Sequence, residues 1–204
     1  MARISLDPPR TLSYRIAEWF IRRQFGTMLD PVRATGHNVP VLRAFGAVEQ
    51  GAARWNALDV KIRDLADMAA AARIGCSWCL DFGYWMMHTH GTPREKIEAV
   101  PRWRNSNAFD PRERLVLEYA EALTETPPTV DDELVRRLRS HFNEAQFVEL
   151  TAIICLENLR SRRNIAFGVT SQGFKARCDV RQPPKEPINP ARQAGAQAHR
   201  GRAV

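Results

Sequence analysis

The stretch from Arg63 to Gly91 reads RDLADMAAAARIGCSWCLDFGYWMMHTHG. Its first half is rich in alanine, Ala69 to Ala72, and stops at Gly75. Its second half opens on two cysteines three positions apart and runs on through Trp78, Phe82, Tyr84, Trp85, Met86 and Met87. A helix that ends on glycine and is followed at once by another predicts a tight turn between two antiparallel helices. In such a hairpin, positions whose numbers sum to about 150 face one another. That register sets Asp67 opposite Gly83 and Asp64 opposite Met86. Either carboxylate then points toward the space beside Gly83, which is expected to be open.

Cys76 sits where the second helix begins, and Cys79 lies one turn further along the same face. The N–H groups at a helix start stabilise a thiolate and lower the thiol pKa. A reactive thiolate with a second thiol beside it is the minimum apparatus for reducing a peroxide or a disulfide through an internal disulfide. Spacing alone leaves two other readings open, half of a metal site and two small core residues. Zinc would need two more convergent ligands. His88 and His90 lie about 13–16 Å along the helix axis from Cys79, too far to close a tetrahedral site. No metal and no cofactor are therefore expected. Cys155 is expected in the core and Cys178 in a C-terminal tail.

The segment RDLADMAAAARIGCSWC resembles the core of the carboxymuconolactone decarboxylase superfamily, in its alkyl hydroperoxidase D-like branch. The resemblance implies an all-α helical bundle assembled into trimers or hexamers. It also implies a thiol-dependent peroxidase, with Cys79 as the attacking thiol and Cys76 as the resolving one. The family places a glutamate twelve residues before the first cysteine and a histidine four residues after the second. Here those positions hold Asp64 and Gly83, so the proton relay is shortened at one end and missing at the other. Asp64 is the nearest equivalent of the relay carboxylate, with Asp67 and Gly83 in its surroundings. The implied partners are a small peroxide or other small molecule, and a protein thiol as reductant. A lactone decarboxylase and a non-catalytic, redox-sensing scaffold are the alternatives.

Helical signals fill the rest of the chain, and about eight helices are expected with no strand. Leu12 to Arg23 and Pro40 to Trp55 are amphipathic, with a loop over Pro31–Asn38 between them. Leu58–Gly75 carries a cap at Asp59. Thr92 caps a short helix that Pro93 opens. Asp110 and Glu113 form a capping-box spacing before a helix that Pro127 and Pro128 stop. Thr129–Phe142 follows. Asn143 and Gln146 then open a long helix striped by Phe147, Leu150, Ile153 and Ile154. In its stretch LENLRSRRN, Arg160, Arg162 and Arg163 are expected as surface charges near the helix end.

The 204 residues suit one domain with a tail, residues 1–174 and 175–204. The net charge of +7 is uneven: Lys175 to Val204 holds seven basic and two acidic residues. The body is therefore near neutral, and nucleic acid is not an expected partner. The prolines after Phe174, with Gln, Ala and Arg around them, read as a disordered basic tail. The first residues lack a signal peptide's pattern, and no apolar run reaches the length of a membrane span. A cytoplasmic protein is expected, in which a C-x-x-C is redox-active or metal-binding more often than structural.

Overall fold

In the computed structural model, which describes residues 2–180, the chain is all-helical, and no strand occurs among those residues. Ten α-helices follow one another: α1 Leu12–Phe25, α2 Asp30–Thr35, α3 Val39–Ala52, α4 Val60–Ile74, α5 Ser77–Thr89, α6 Arg94–Ala99, α7 Pro111–Thr124, α8 Asp132–Arg139, α9 Glu144–Phe167 and α10 Phe174–Val180. A 3-10 segment, Val100–Asn105, lies between α6 and α7.

The caps expected at Asp59, Asp110 and Asn143 form, and the one expected at Thr92 does not. Asp110 and Glu113 close a reciprocal capping box at α7, and Asn143 and Gln146 do the same at α9. Asp59 accepts the Lys61 N–H at the start of α4. Each cap satisfies backbone donors that a helix start leaves unpaired. The loop expected at residues 31–38 is partly helical, because Pro31 at the first turn of α2 presets a helical φ. Pro93 stands just before α6, and no side chain caps that helix.

α4 is the central element, packed on α5, α7 and α9. Its small residues explain the position. Ala66, Ala69, Ala70 and Ala71 are all essentially buried, which lets neighbouring helices approach the backbone. Leu65 joins Val116, Leu117, Leu150, Ile153 and Ile154 in the main core. A second apolar cluster surrounds the cysteines and draws Leu29, Ala34, Ala71, Trp78, Val169 and Phe174 together.

The boundary set at residue 174 moves. Residues 174–180 form α10, which packs on α5 and buries Phe174 and Cys178. Cys178 is thus inside the fold rather than in a tail. The rest of the expected tail, residues 181–204, lies outside the described residues. Cys155 is corrected the other way: Ile153 and Ile154 take the inward face of α9, and the next residue turns out to solvent.

Candidate active site

Gly75 makes the cysteine pair possible. It takes a left-handed conformation, φ 83°, and its N–H closes α4 on the Ala71 carbonyl at 2.9 Å. A residue with a Cβ is strained at that φ. The chain reverses there, and α5 begins with Cys76 as its N-cap, the Cys76 sulfur accepting the Cys79 N–H at 3.2 Å. One helical turn then brings the sulfurs together, and Cys76 and Cys79 are joined as a disulfide with Cα atoms 5.3 Å apart. That distance is ordinary for such a bond. Cys76 is fully buried and Cys79 is 6% exposed.

The sequence-predicted carboxylates are paired with a histidine and an arginine. Asp64 Oδ2 lies 2.7 Å from His90 Nδ1. His90 stands eleven residues beyond Cys79, about 16 Å along the helix. Burial raises the Asp64 pKa, against the lowering effect of its hydrogen bond to His90. Gly83 does not face open space. A Cβ built there would meet the Met68 sulfur at 3.1 Å, and Met68 is itself buried. Met68 therefore occupies the place where the missing histidine was expected to leave room. Asp67 faces α9, where its Oδ2 lies 3.4 Å from Arg160 Nη1.

What surrounds Cys79 comes from α9. The Ser161 hydroxyl lies 3.2 Å from Cys79 Sγ, and Asn164 Nδ2 donates to the same sulfur at 3.4 Å. Ser161 Oγ is also 2.6 Å from Glu157 Oε1. Glu157, Ser161 and Asn164 are all buried. Behind them Arg160 binds both oxygens of Glu49, at 2.9 and 2.6 Å, and reaches Glu157 Oε2 at 3.5 Å. Arg160 is thus largely enclosed, and Arg163 stacks over the Phe45 ring at 4.3 Å. Neither is the free surface cation the sequence suggested.

Burial sets the electrostatics. It pushes the Glu157 carboxyl up to about 8, with the Asp67 charge adding to the rise and Arg160 opposing it. Burial raises Asp67 as well, again against Arg160. Arg160, held between carboxylates, stays firmly charged. The result is a protonatable carboxyl, one hydroxyl away from a redox-capable sulfur.

Glu157, Ser161 and Asn164 were missed in the sequence, yet a signal for them exists. The buried stripe of α9 runs through Leu150 and Ile154, and at the same helical spacing it continues through Glu157, Ser161 and Asn164. Polar residues that continue an apolar stripe must find partners inside the fold.

The aromatic residues of α5 pack within the chain. Trp78 stacks on Phe82 with centroids 5.0 Å apart, and Phe82 meets Phe174 at 5.1 Å and Phe25 at 5.3 Å. Among the described residues, no group of three or more His, Cys, Asp or Glu could hold a metal ion.

Comparison with known proteins agrees with this architecture. Residues 40–122 match the carboxymuconolactone decarboxylase family. The Escherichia coli K12 protein YnjA is 37% identical over 165 residues, 80% of this chain and 90% of that one. The debrominase Bmp8, in a variant solved with 2,3,4-tribromopyrrole, is 18% identical, with a TM-score of 0.75 over 88% of this chain and 98% of its own. A peroxidase-related protein from Silicibacter sp. TM1040 is 18% identical, with a TM-score of 0.75 over 85% and 92% of the two chains. Both solved structures are similar in fold.

Proposed function

This chain belongs to the carboxymuconolactone decarboxylase family, and on that premise we propose that it is a thiol-dependent oxidoreductase that reduces peroxides through Cys76 and Cys79. The observation that supports this most is the pair itself. Two sulfurs lie within bonding reach at the first turn of α5, and one of them is hydrogen-bonded by Ser161 and Asn164. Hydrogen bonds to a sulfur favour its anionic form, and so does a helix start.

Cys79 is the attacking thiol in this reading. It has the donors, and Cys76 has no exposure at all. The Cys79 thiolate attacks one peroxide oxygen, the O–O bond breaks, and the other oxygen leaves as an alcohol once protonated. Cys79 is then a sulfenic acid. The Cys76 thiol displaces its oxygen as water and forms the disulfide, which a dithiol reductant reopens. A non-catalytic redox sensor would stop after one oxidation.

The test is peroxide consumption by the purified chain with a dithiol reductant. Many turnovers per chain are expected, with Cys79→Ser inactive and Cys76→Ser halted at the sulfenic acid. A single stoichiometric oxidation would instead assign the sensor role. Because the fold is shared with the debrominase Bmp8, 2,3,4-tribromopyrrole is the second substrate to try.

The family likeness also supports assembly with further copies of this chain. On α1, Leu12, Ile16, Trp19 and Phe20 form an exposed apolar row, with Leu12 72% and Trp19 58% exposed. Such a row is suited to burial against a second copy.

A further inference from the structure

The geometry points to a proton line that runs from Cys79 Sγ through the Ser161 hydroxyl to the Glu157 carboxyl, so that Ser161 is a catalytic residue and Glu157 acts through it. This inference rests on the thiol reading above and supplies what that reading lacks, a base near the sulfur.

The Ser161 hydroxyl has one hydrogen and two close neighbours, Cys79 Sγ at 3.2 Å and Glu157 Oε1 at 2.6 Å. It can donate to only one of them, so the other contact must be one in which it accepts. With a neutral Glu157, the carboxyl donates to Ser161 and Ser161 donates to the sulfur. With an ionised Glu157 and a thiol at Cys79, the S–H donates to Ser161 and Ser161 donates to the carboxylate. Concerted motion of both protons converts one arrangement into the other. A hydroxyl bridge therefore lets a carboxylate draw a proton from the thiol without lying against the sulfur, where its charge would hold the thiol neutral.

The surroundings favour this route. Ser161 is fully buried and Glu157 5% exposed, which restricts direct exchange with solvent. The position four residues after Cys79 is Gly83, backed by Met68, and Asp64 is engaged by His90. The charged groups facing Glu157 are Arg160 on its own helix and Asp67 on α4. Beyond them, Glu49 on α3 is bound by Arg160, and Arg163 lies one turn on. Arg160 favours the ionised carboxylate and Asp67 the neutral one, while burial favours neutrality. The carboxyl is thus poised to change state near neutral pH.

In the reaction, Glu157 takes the Cys79 proton through Ser161, and the thiolate attacks the peroxide. As the O–O bond breaks, the stored proton returns by the same line to the departing oxygen. Cys76 then brings its own proton when it displaces the sulfenic oxygen as water. One peroxide and two thiols give one alcohol, one water and one disulfide, so protons and electrons balance.

The deciding experiment titrates the Cys79 thiolate by its ultraviolet absorbance in the reduced full chain, as the difference from Cys79→Ser. It needs no peroxide, so it decides the relay even if peroxide turnover proves absent. Two steps against pH are expected in the native chain, because Cys79 and Glu157 share the first proton lost. Ser161→Ala and Glu157→Gln should each leave a single step. The glutamine variant keeps the side-chain volume and decides the matter if the alanine variant does not fold. With peroxide and a dithiol, both variants should lose roughly 10²-fold or more in rate at neutral pH, and Ser161→Thr should restore much of it. A single step in the native chain, or two steps surviving in Glu157→Gln, would overturn the relay. Absence of turnover in the native chain would instead overturn the peroxidase reading.

Discussion

Glu157 has a consequence for stability as well as for chemistry. Its folded pKa stands at about 8, above the ordinary glutamate value of about 4.3. Between the two, the folded chain holds a proton that the unfolded chain has released. The resulting stability is fully present below about pH 4.3 and is lost as pH rises through about 8. Glu157→Gln has no such proton to lose. Denaturant titrations should therefore show the native chain losing more stability than this variant between about pH 5 and 8. Gly83 makes a simpler case at the same scale. An added side chain meets the buried Met68 sulfur, so Gly83→His should cost roughly 1–3 kcal/mol through overpacking. Thermal melting measures it, and an unchanged melting temperature would mean that Met68 moves aside freely. The free cysteines divide by exposure. Cys155 should react with a thiol reagent in the native state while buried Cys178 stays protected, and mass spectrometry of the labelled chain distinguishes them.

Among the elements, α10 is tied to α5 by the Asp81 carboxylate. Asp81 on α5 accepts the backbone N–H groups of Gln172, Phe174 and Lys175 at 2.9, 3.0 and 2.8 Å. Burial works to raise the Asp81 pKa, but these donors hold it below the usual carboxylate range. Gln172 adds a second tie, accepting from Trp78 Nε1 at 2.7 Å and from the Asp30 N–H at 2.9 Å. The segment before α10 is thereby fastened to both α5 and α2, over the cluster that encloses the cysteines. Asp81→Ala should release it, at a cost of at least about 1.5–3 kcal/mol, the value of one hydrogen bond to a charged group. Amide exchange should quicken at residues 172–178 while α4 and α9 stay protected. Because the folded pKa is lowered, the contribution is full above the ordinary aspartate value of about 3.9. It is lost as pH falls toward the folded value, so acid should loosen α10 in the native chain and change little in Asp81→Ala.

For the whole molecule, two expectations concern what the helices leave exposed and how the chain ends. If copies of this chain assemble through α1 as proposed, replacing Trp19 by Asp places a charge in its exposed row and should shift sedimentation toward the monomer. Unchanged sedimentation would overturn assembly through α1. Ending the chain at Phe174 should lower the melting temperature, because it deletes residues 175–180 and with them the buried Cys178. A basic, proline-rich sequence from residue 175 onward reads as unstructured when judged by composition alone. The short helix at its start exists because Asp81 supplies a partner for its backbone and α5 supplies an aromatic surface for Phe174.

Local chemistry determined the helices and the hairpin. Capping residues, alanine content and a glycine at the turn act over a few positions, and Asp59, Asp110, Asn143 and Gly75 all serve as their neighbours require. The Cys76–Cys79 pair was legible for the same reason, since one helical turn separates the sulfurs whatever the rest of the chain does. No membrane-spanning helix was expected, and none among the described residues is long and apolar enough to be one. The proton partner of the pair was not legible. Glu157 and Ser161 lie some eighty residues from Cys79, and their approach depends on how α9 is rotated against α4 and α5. That rotation follows from packing Leu150, Ile153 and Ile154 into the core, a contact between distant segments that no local pattern encodes. The same packing turned Asp67 toward Arg160, and the hairpin register gave Asp64 to His90. Local sequence determined which sulfurs meet, and tertiary packing decided which carboxyl serves them.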